Sequence, residues 1–128
     1  MKPLTREWVE KAENDWGSLN REIRVRKNPN YDAACFFAQQ CSEKYIKARL
    51  VEADVYFKKV HDLTYLLGLV TNIEPLWITY EREFRLLTDY AVEVRYPGAA
   101  ADLELAKSAL KVCKSFRATA RHSLGLRE

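Results

Sequence analysis

Residues Tyr31 to Glu52 read YDAACFFAQQCSEKYIKARLVE, and this stretch decides the fold. It holds no Gly, no Pro and no turn signal. Ala34, Phe37 with Ala38, Cys41, Tyr45 and Ala48 recur at steps of three and four. A second apolar line runs through Ala33, Phe36, Phe37 and Cys41. Two lines make an apolar face wider than a surface helix needs, which predicts a helix packed against neighbours on more than one side. Such a helix belongs at the centre of a bundle.

The flanking sequence repeats the same period. Val9, Ala12, Trp16, Leu19 and Ile23 form a stripe on a first helix, with Thr5 expected as its N-cap and its end expected near Arg26, before the turn Lys27-Asn28-Pro29-Asn30. Val55 to Val60 reads as a packed linker. His61 to Val70 predicts a short third helix, with Asp62 placed to cap it. A fourth helix is expected from Glu74-Pro75 to the bend Tyr96-Pro97-Gly98. It is carried by Trp77, Tyr80, Phe84, Leu87, Ala91 and Val94. A fifth runs from about Ala100 to Ser123 on Leu103, Ala106, Leu110, Cys113, Phe116 or Arg117, and Ala120, with Gly125 just beyond its end. No segment alternates like a strand. The expectation is an all-α fold, an up-and-down four-helix bundle with one additional short helix.

The totals agree. A chain of 128 residues, 48% hydrophobic and 30% charged, is the size of one soluble domain, and four Gly with four Pro favour long helices over a turn-rich β fold. A net charge of +3 permits nucleic-acid binding without arguing for it. Cys35, Cys41 and Cys113 lie in apolar lines and form no C-x-x-C pair, so they are expected as buried reduced thiols rather than metal ligands. The N-terminus lacks the apolar core of a signal peptide, and no apolar run reaches membrane-spanning length. The expected location is the cytoplasm, with no membrane association, no cofactor and no metal site.

Four places carry chemistry or a plain structural alternative. His61 is a base, a nucleotide contact or a half-buried first-turn residue. Arg95, beside Tyr90, Glu93 and Tyr96 at the bend, suits bidentate phosphate binding or pairing with Glu93 or Asp89. Lys107, Lys111, Lys114, Arg117 and Arg121 form a basic stripe on the last helix, and Arg21, Arg24, Arg26 and Lys27 a smaller cluster. Either tracks a nucleic-acid backbone or forms a solvated face.

Three segments resemble a known family. The run from Tyr31 to Ala48, with its A-x-x-x-A-Q-Q-x-x-E-K-x-x-K-A pattern, is similar to the second helix of HEPN domains (higher eukaryotes and prokaryotes nucleotide-binding). His61-Asp62-Leu63 with Leu66 resembles the family's H-D-L-x-x-L turn. Tyr90 to Gly98 resembles its Y-x-x-x-x-R-Y-P segment. The motifs follow the family's order across nearly the whole chain, so residues 1–128 read as a single HEPN-like helical domain.

The resemblance implies a helical bundle, a homodimer with a cleft at its interface, and a small nucleotidyltransferase as partner. It implies ligand contacts at Arg95, Tyr96, His61 and Tyr90, with a nucleotide or RNA as ligand. Gln39, Gln40, Glu43 and Lys44 are then expected as a polar seam facing the dimer cleft. Other members are metal-independent RNases of toxin–antitoxin and defence systems, which carry R-x(4–6)-H. After Arg95 the positions for that histidine are Ala100, Ala101 and Asp102, so no imidazole is available as general base. Only Arg117 and His122 fit the spacing. The leading expectation is a non-enzymatic binding module; the alternatives are an RNase using Arg117 and His122, and a purely structural bundle.

Overall fold

The computed structural model describes residues 1–93 and 96–127. It is an all-helical up-and-down bundle. The long helices are α1 (Pro3–Arg24), α2 (Tyr31–Glu52), α4 (Glu81–Glu93) and α5 (Leu103–Ser123); the short α3 (Leu63–Val70) and a 3₁₀ segment (Pro75–Tyr80) link α2 to α4. No described helix is long and apolar enough to cross a membrane.

Helix α2 is the axis. Its buried residues, among them Ala34, Cys35, Ala38, Cys41, Tyr45, Ile46, Ala48 and Leu50, point all round it, because α1, α3, α4 and α5 pack on different sides. Phe36 of the second expected line is exposed instead, and the extra buried face is polar: Gln39, Ser42, Glu43 and Lys47. Contacts at both ends fix the directions. Thr5 Oγ1 donates to Glu52 at 2.8 Å and Asn30 N to Glu22 at 3.3 Å, so α1 and α2 are antiparallel. Ala101 N donates to Asp32 at 2.7 Å and Arg49 Nε to Ser123 at 2.9 Å, so α2 and α5 are parallel.

Several helix ends differ from expectation for local reasons. Helix α1 starts at Pro3, whose missing N–H is no loss in a first turn. Thr5 is therefore no cap; it is buried, and its hydroxyl goes to Glu52. Helix α3 starts at Leu63 with Asp62 as cap, accepting from Thr64 N at 2.9 Å and Tyr65 N at 3.2 Å. His61 is thus left in the loop. The expected fourth helix is split. Its first part is a 3₁₀ turn, where Trp77, Ile78 and Thr79 have poor helix propensity and Trp77 and Tyr80 are drawn onto Phe116, both rings 5.1 Å from it. Phe84, 4.9 Å from the same ring, begins the regular helix packing. Helix α5 starts at Leu103, because Asp102 accepts from Leu105 N at 2.8 Å. Gly125, with φ of 74°, takes the left-handed conformation just past its end.

Candidate functional site

Gln39, Glu43 and Lys47 are spaced four apart, so they form one line on α2. That line faces inward, toward α1 and the loop 53–62. Glu43 is 1% exposed, and its Oε2 lies 2.9 Å from Lys47 Nζ and 2.9 Å from His61 Nδ1. Its Oε1 accepts from Gln39 Nε2 at 3.2 Å. Gln39 Nε2 also donates to the His61 carbonyl at 3.2 Å, and Gln39 Oε1 accepts from Gln40 Nε2 at 2.7 Å. Lys47 Nζ stands over two rings, 5.2 Å from the Trp8 centroid and 5.9 Å from Phe57. A buried carboxylate is expensive unless charge and hydrogen bonds compensate it, and here both do.

The product of this hub is His61. A carboxylate accepts, so Nδ1 carries the hydrogen that faces Glu43 and Nε2 is left pointing away. The side chain is 76% exposed, so the ring edge bearing Nε2 meets solvent. The sequence left His61 open between a base, a nucleotide contact and a half-buried first-turn residue; the structure shows an outward imidazole, outside the helix, held from behind.

The seam expected to face a dimer cleft is used up inside the chain. Gln39 and Glu43 are buried in the hub, Gln40 donates to Gln39, and Lys44 pairs with Asp15 at 2.6 Å.

A second polar cluster takes Arg117. Its Nε and Nη2 each lie 2.7 Å from one carboxylate oxygen of Glu13, and its guanidinium lies 4.9 Å over the Trp16 ring. Tyr45 also donates to Glu13 and accepts from Arg121 Nη1 at 3.0 Å. Burial alone would raise the Glu13 carboxyl, but the hydrogen bonds from Arg117 and Tyr45 outweigh it and hold the group below the usual carboxylate range. The bond to Glu13 raises Arg117 against the opposing effect of burial. His122 does not join this cluster. Five residues further along α5 it lies about 140° round the helix axis, where it is exposed and lines a cleft of about 710 Å³ with Glu74, Trp77 and Ser123. The structure does not bring Arg117 and His122 together. The basic stripe is split in the same way: Lys107, Lys111 and Lys114 are exposed, while Arg117 and Arg121 are engaged.

Tyr90 is half-buried at one end of a trough between α4 and α5, beside Leu86, Leu87, Ala109 and Val112. The trough continues past Tyr80 and Lys111 to the 3₁₀ segment and the cleft at His122. Tyr96 is exposed. Arg95, expected to bind ligand with them, lies outside the described residues. Among the described residues no group of three or more His, Cys, Asp or Glu is placed to hold a metal ion.

The hub was legible only in part. The sequence grouped Gln39 and Glu43 with Gln40 and Lys44 as a seam facing a cleft; that Lys47 joins them, and that the line is buried, came from the structure. Glu13, distant in sequence, gave no signal.

No curated protein and no solved structure matches this chain. The family model described as HEPN domain matches residues 5–123, a span that takes in α2, the His61-Asp62-Leu63 turn and the bend after α4. The chain belongs to the HEPN family.

Proposed function

We propose that the domain is a nucleotide-binding module without catalysis of its own, working in the cytoplasm as a homodimer and serving a nucleotidyltransferase subunit. One observation carries the reading: His61 is exposed, yet its Nδ1 is fixed 2.9 Å from the buried Glu43. A surface histidine with no binding role does not need a buried carboxylate, a lysine and two glutamines behind it. Its Nε2 is suited to a phosphate oxygen when protonated and to a sugar hydroxyl when neutral. Arg95, Tyr96 and Tyr90, close together in sequence, are the second set of contacts in this reading, because a guanidinium suits bidentate phosphate binding.

The trough between α4 and α5 supports the homodimer. Leu86 on its wall and Leu76 and Ile78 on the adjoining 3₁₀ segment are exposed, Leu76 to 82%. Exposed apolar side chains grouped along a groove suit a self-complementary contact. The RNase alternative needs Arg117 to leave Glu13 and reach a histidine on another face, and nothing in the geometry favours it.

A thermal-shift series with ATP, GTP and their diphosphates tests the binding reading. Nucleotide should raise the melting temperature of the wild-type chain, and His61→Ala and Arg95→Ala should each reduce the rise. Absence of any shift overturns nucleotide binding by this chain. Light scattering at micromolar concentration should give the dimer mass; a monomer mass removes the homodimer.

A further inference from the structure

The loop between α2 and α3 holds the residues that the hub leaves facing outward. From Val55 to His61 its side chains divide: Val55 and Phe57 pack against the core and Val60 is half-buried, while Tyr56, Lys58, Lys59 and His61 are exposed. The packed side chains anchor it. The Phe57 ring packs 6.4 Å from Trp8 and lies beneath Lys47 Nζ. Lys58 N donates to the Tyr65 hydroxyl at 3.3 Å, Val60 N to the Lys58 carbonyl at 2.8 Å, and the His61 carbonyl accepts from Gln39 at 3.2 Å. This is a pinned loop carrying an aromatic ring, two ammonium groups and an oriented imidazole.

Tyr56 is 84% exposed, the highest value among the large apolar side chains. A tyrosine ring so exposed is a flat surface and not the wall of a pocket. The neighbouring carboxylates are occupied: Asp62 caps α3, and Asp54 pairs with Lys2. The Asp54 charge is offset by Lys2, and Asp62 keeps its own while capping α3, so Lys58 and Lys59 leave the loop with a net charge of one positive unit. The outward side chains run from residue 56 to residue 61, a reach of at most about 17 Å. One phosphate is too small to engage all of it, whereas a strand carrying successive bases and phosphates is not.

We infer that the Tyr56–His61 loop is a binding platform for single-stranded nucleic acid. A base stacks on Tyr56, Lys58 and Lys59 take backbone phosphates, and His61 Nε2 reaches a phosphate or a ribose hydroxyl. The inference rests on the nucleotide-binding reading of His61 and extends it from a mononucleotide to a strand.

Fluorescence anisotropy with a labelled 12-nucleotide single-stranded RNA, its DNA counterpart and an RNA duplex tests it, together with the thermal shift by ATP on the same proteins. Both single strands should bind more tightly than the duplex, and a preference for RNA would place a 2′-hydroxyl against His61. Tyr56→Ala should weaken binding by about tenfold and Tyr56→Phe should not, because stacking needs the ring and not the hydroxyl. Lys58→Ala with Lys59→Ala should reduce the slope of log affinity against log salt by about 1.4. All three side chains are exposed, so the variants should keep the wild-type melting temperature. Equal strand affinity in wild type and Tyr56→Ala overturns the platform. ATP stabilisation without strand binding also overturns it and leaves the nucleotide reading standing; loss of both removes the two together.

Discussion

Glu13 on α1 grips Arg117 on α5 through both carboxylate oxygens at 2.7 Å, across 104 positions of sequence. Helices α1 and α5 are the first and last of the bundle, so this fork joins its two ends over the buried Tyr45. Truncating either residue should lower stability. A double-mutant cycle with Glu13→Ala and Arg117→Ala should show coupling of about 1–2 kcal/mol by urea denaturation. A coupling near zero would mean that the fork adds nothing to the packing around Trp16.

Glu13 also sets an acid limit. Hydrogen bonds from Arg117 and Tyr45 depress its folded-state pKa, so the native chain binds fewer protons than the unfolded chain as pH falls. The stability this provides is present above the ordinary carboxylate value, near 4.5, and is lost as pH drops through the lower folded value. Glu52, held low by the Lys2 amide and the Thr5 hydroxyl, acts in the same direction. Glu13→Gln should therefore be less stable than wild type at pH 7, and the gap should close as pH falls below the ordinary carboxylate range. Urea midpoints measured across that range check the sign.

The hub predicts a lopsided mutational response. Glu43→Ala leaves Lys47 buried without its counter-ion and should cost about 3–5 kcal/mol. The double change Glu43→Leu with Lys47→Met removes both charges and should recover most of that loss. It should also free the His61 ring, which two-dimensional NMR of the imidazole would report as lost tautomer preference. If the single and double variants are equally unstable, the cost lies in packing and not in the orphaned charge.

The thiols should be inert in the folded state. Burial, with Asp32 and Asp102 nearby, pushes Cys35 to about 11, and the Cys113 contact and burial raise Cys41. At pH 8 iodoacetamide should label neither at an appreciable rate by intact mass, and both should react once urea unfolds the chain. Rapid labelling of the native chain would contradict the buried placement.

Much of the fold was readable because helix periodicity is local. The bounds of α2 and the cap at Asp62 follow from residues within a few positions of each other. The misread ends, at Thr5 and in the 3₁₀ segment, were decided by partners far away: Glu52 for Thr5, and Phe116 for Trp77 and Tyr80. Gly17 and Gly68 have no helix pressed against them: an added Cβ at Gly68 meets nothing within 4 Å, and one at Gly17 meets only the Arg21 side chain. The site was less legible. His61 was visible as a candidate, but its orientation depends on Glu43, 18 positions earlier, and on that carboxylate being buried. Spacing alone paired Arg117 with His122, whereas packing gave Arg117 to Glu13.

The polar line on α2 also acts as a ruler. Apolar faces tolerate sliding, since one methyl-bearing side chain replaces another at small cost. Glu43 does not: a slip of one helical turn, about 5.4 Å, would take it from His61 and part Lys47 from the rings of Trp8 and Phe57. The hub therefore rejects neighbouring alignments of α2 that its alanines and cysteines alone would accept, and it holds the α1–α2 pair and the 53–62 loop to a single register.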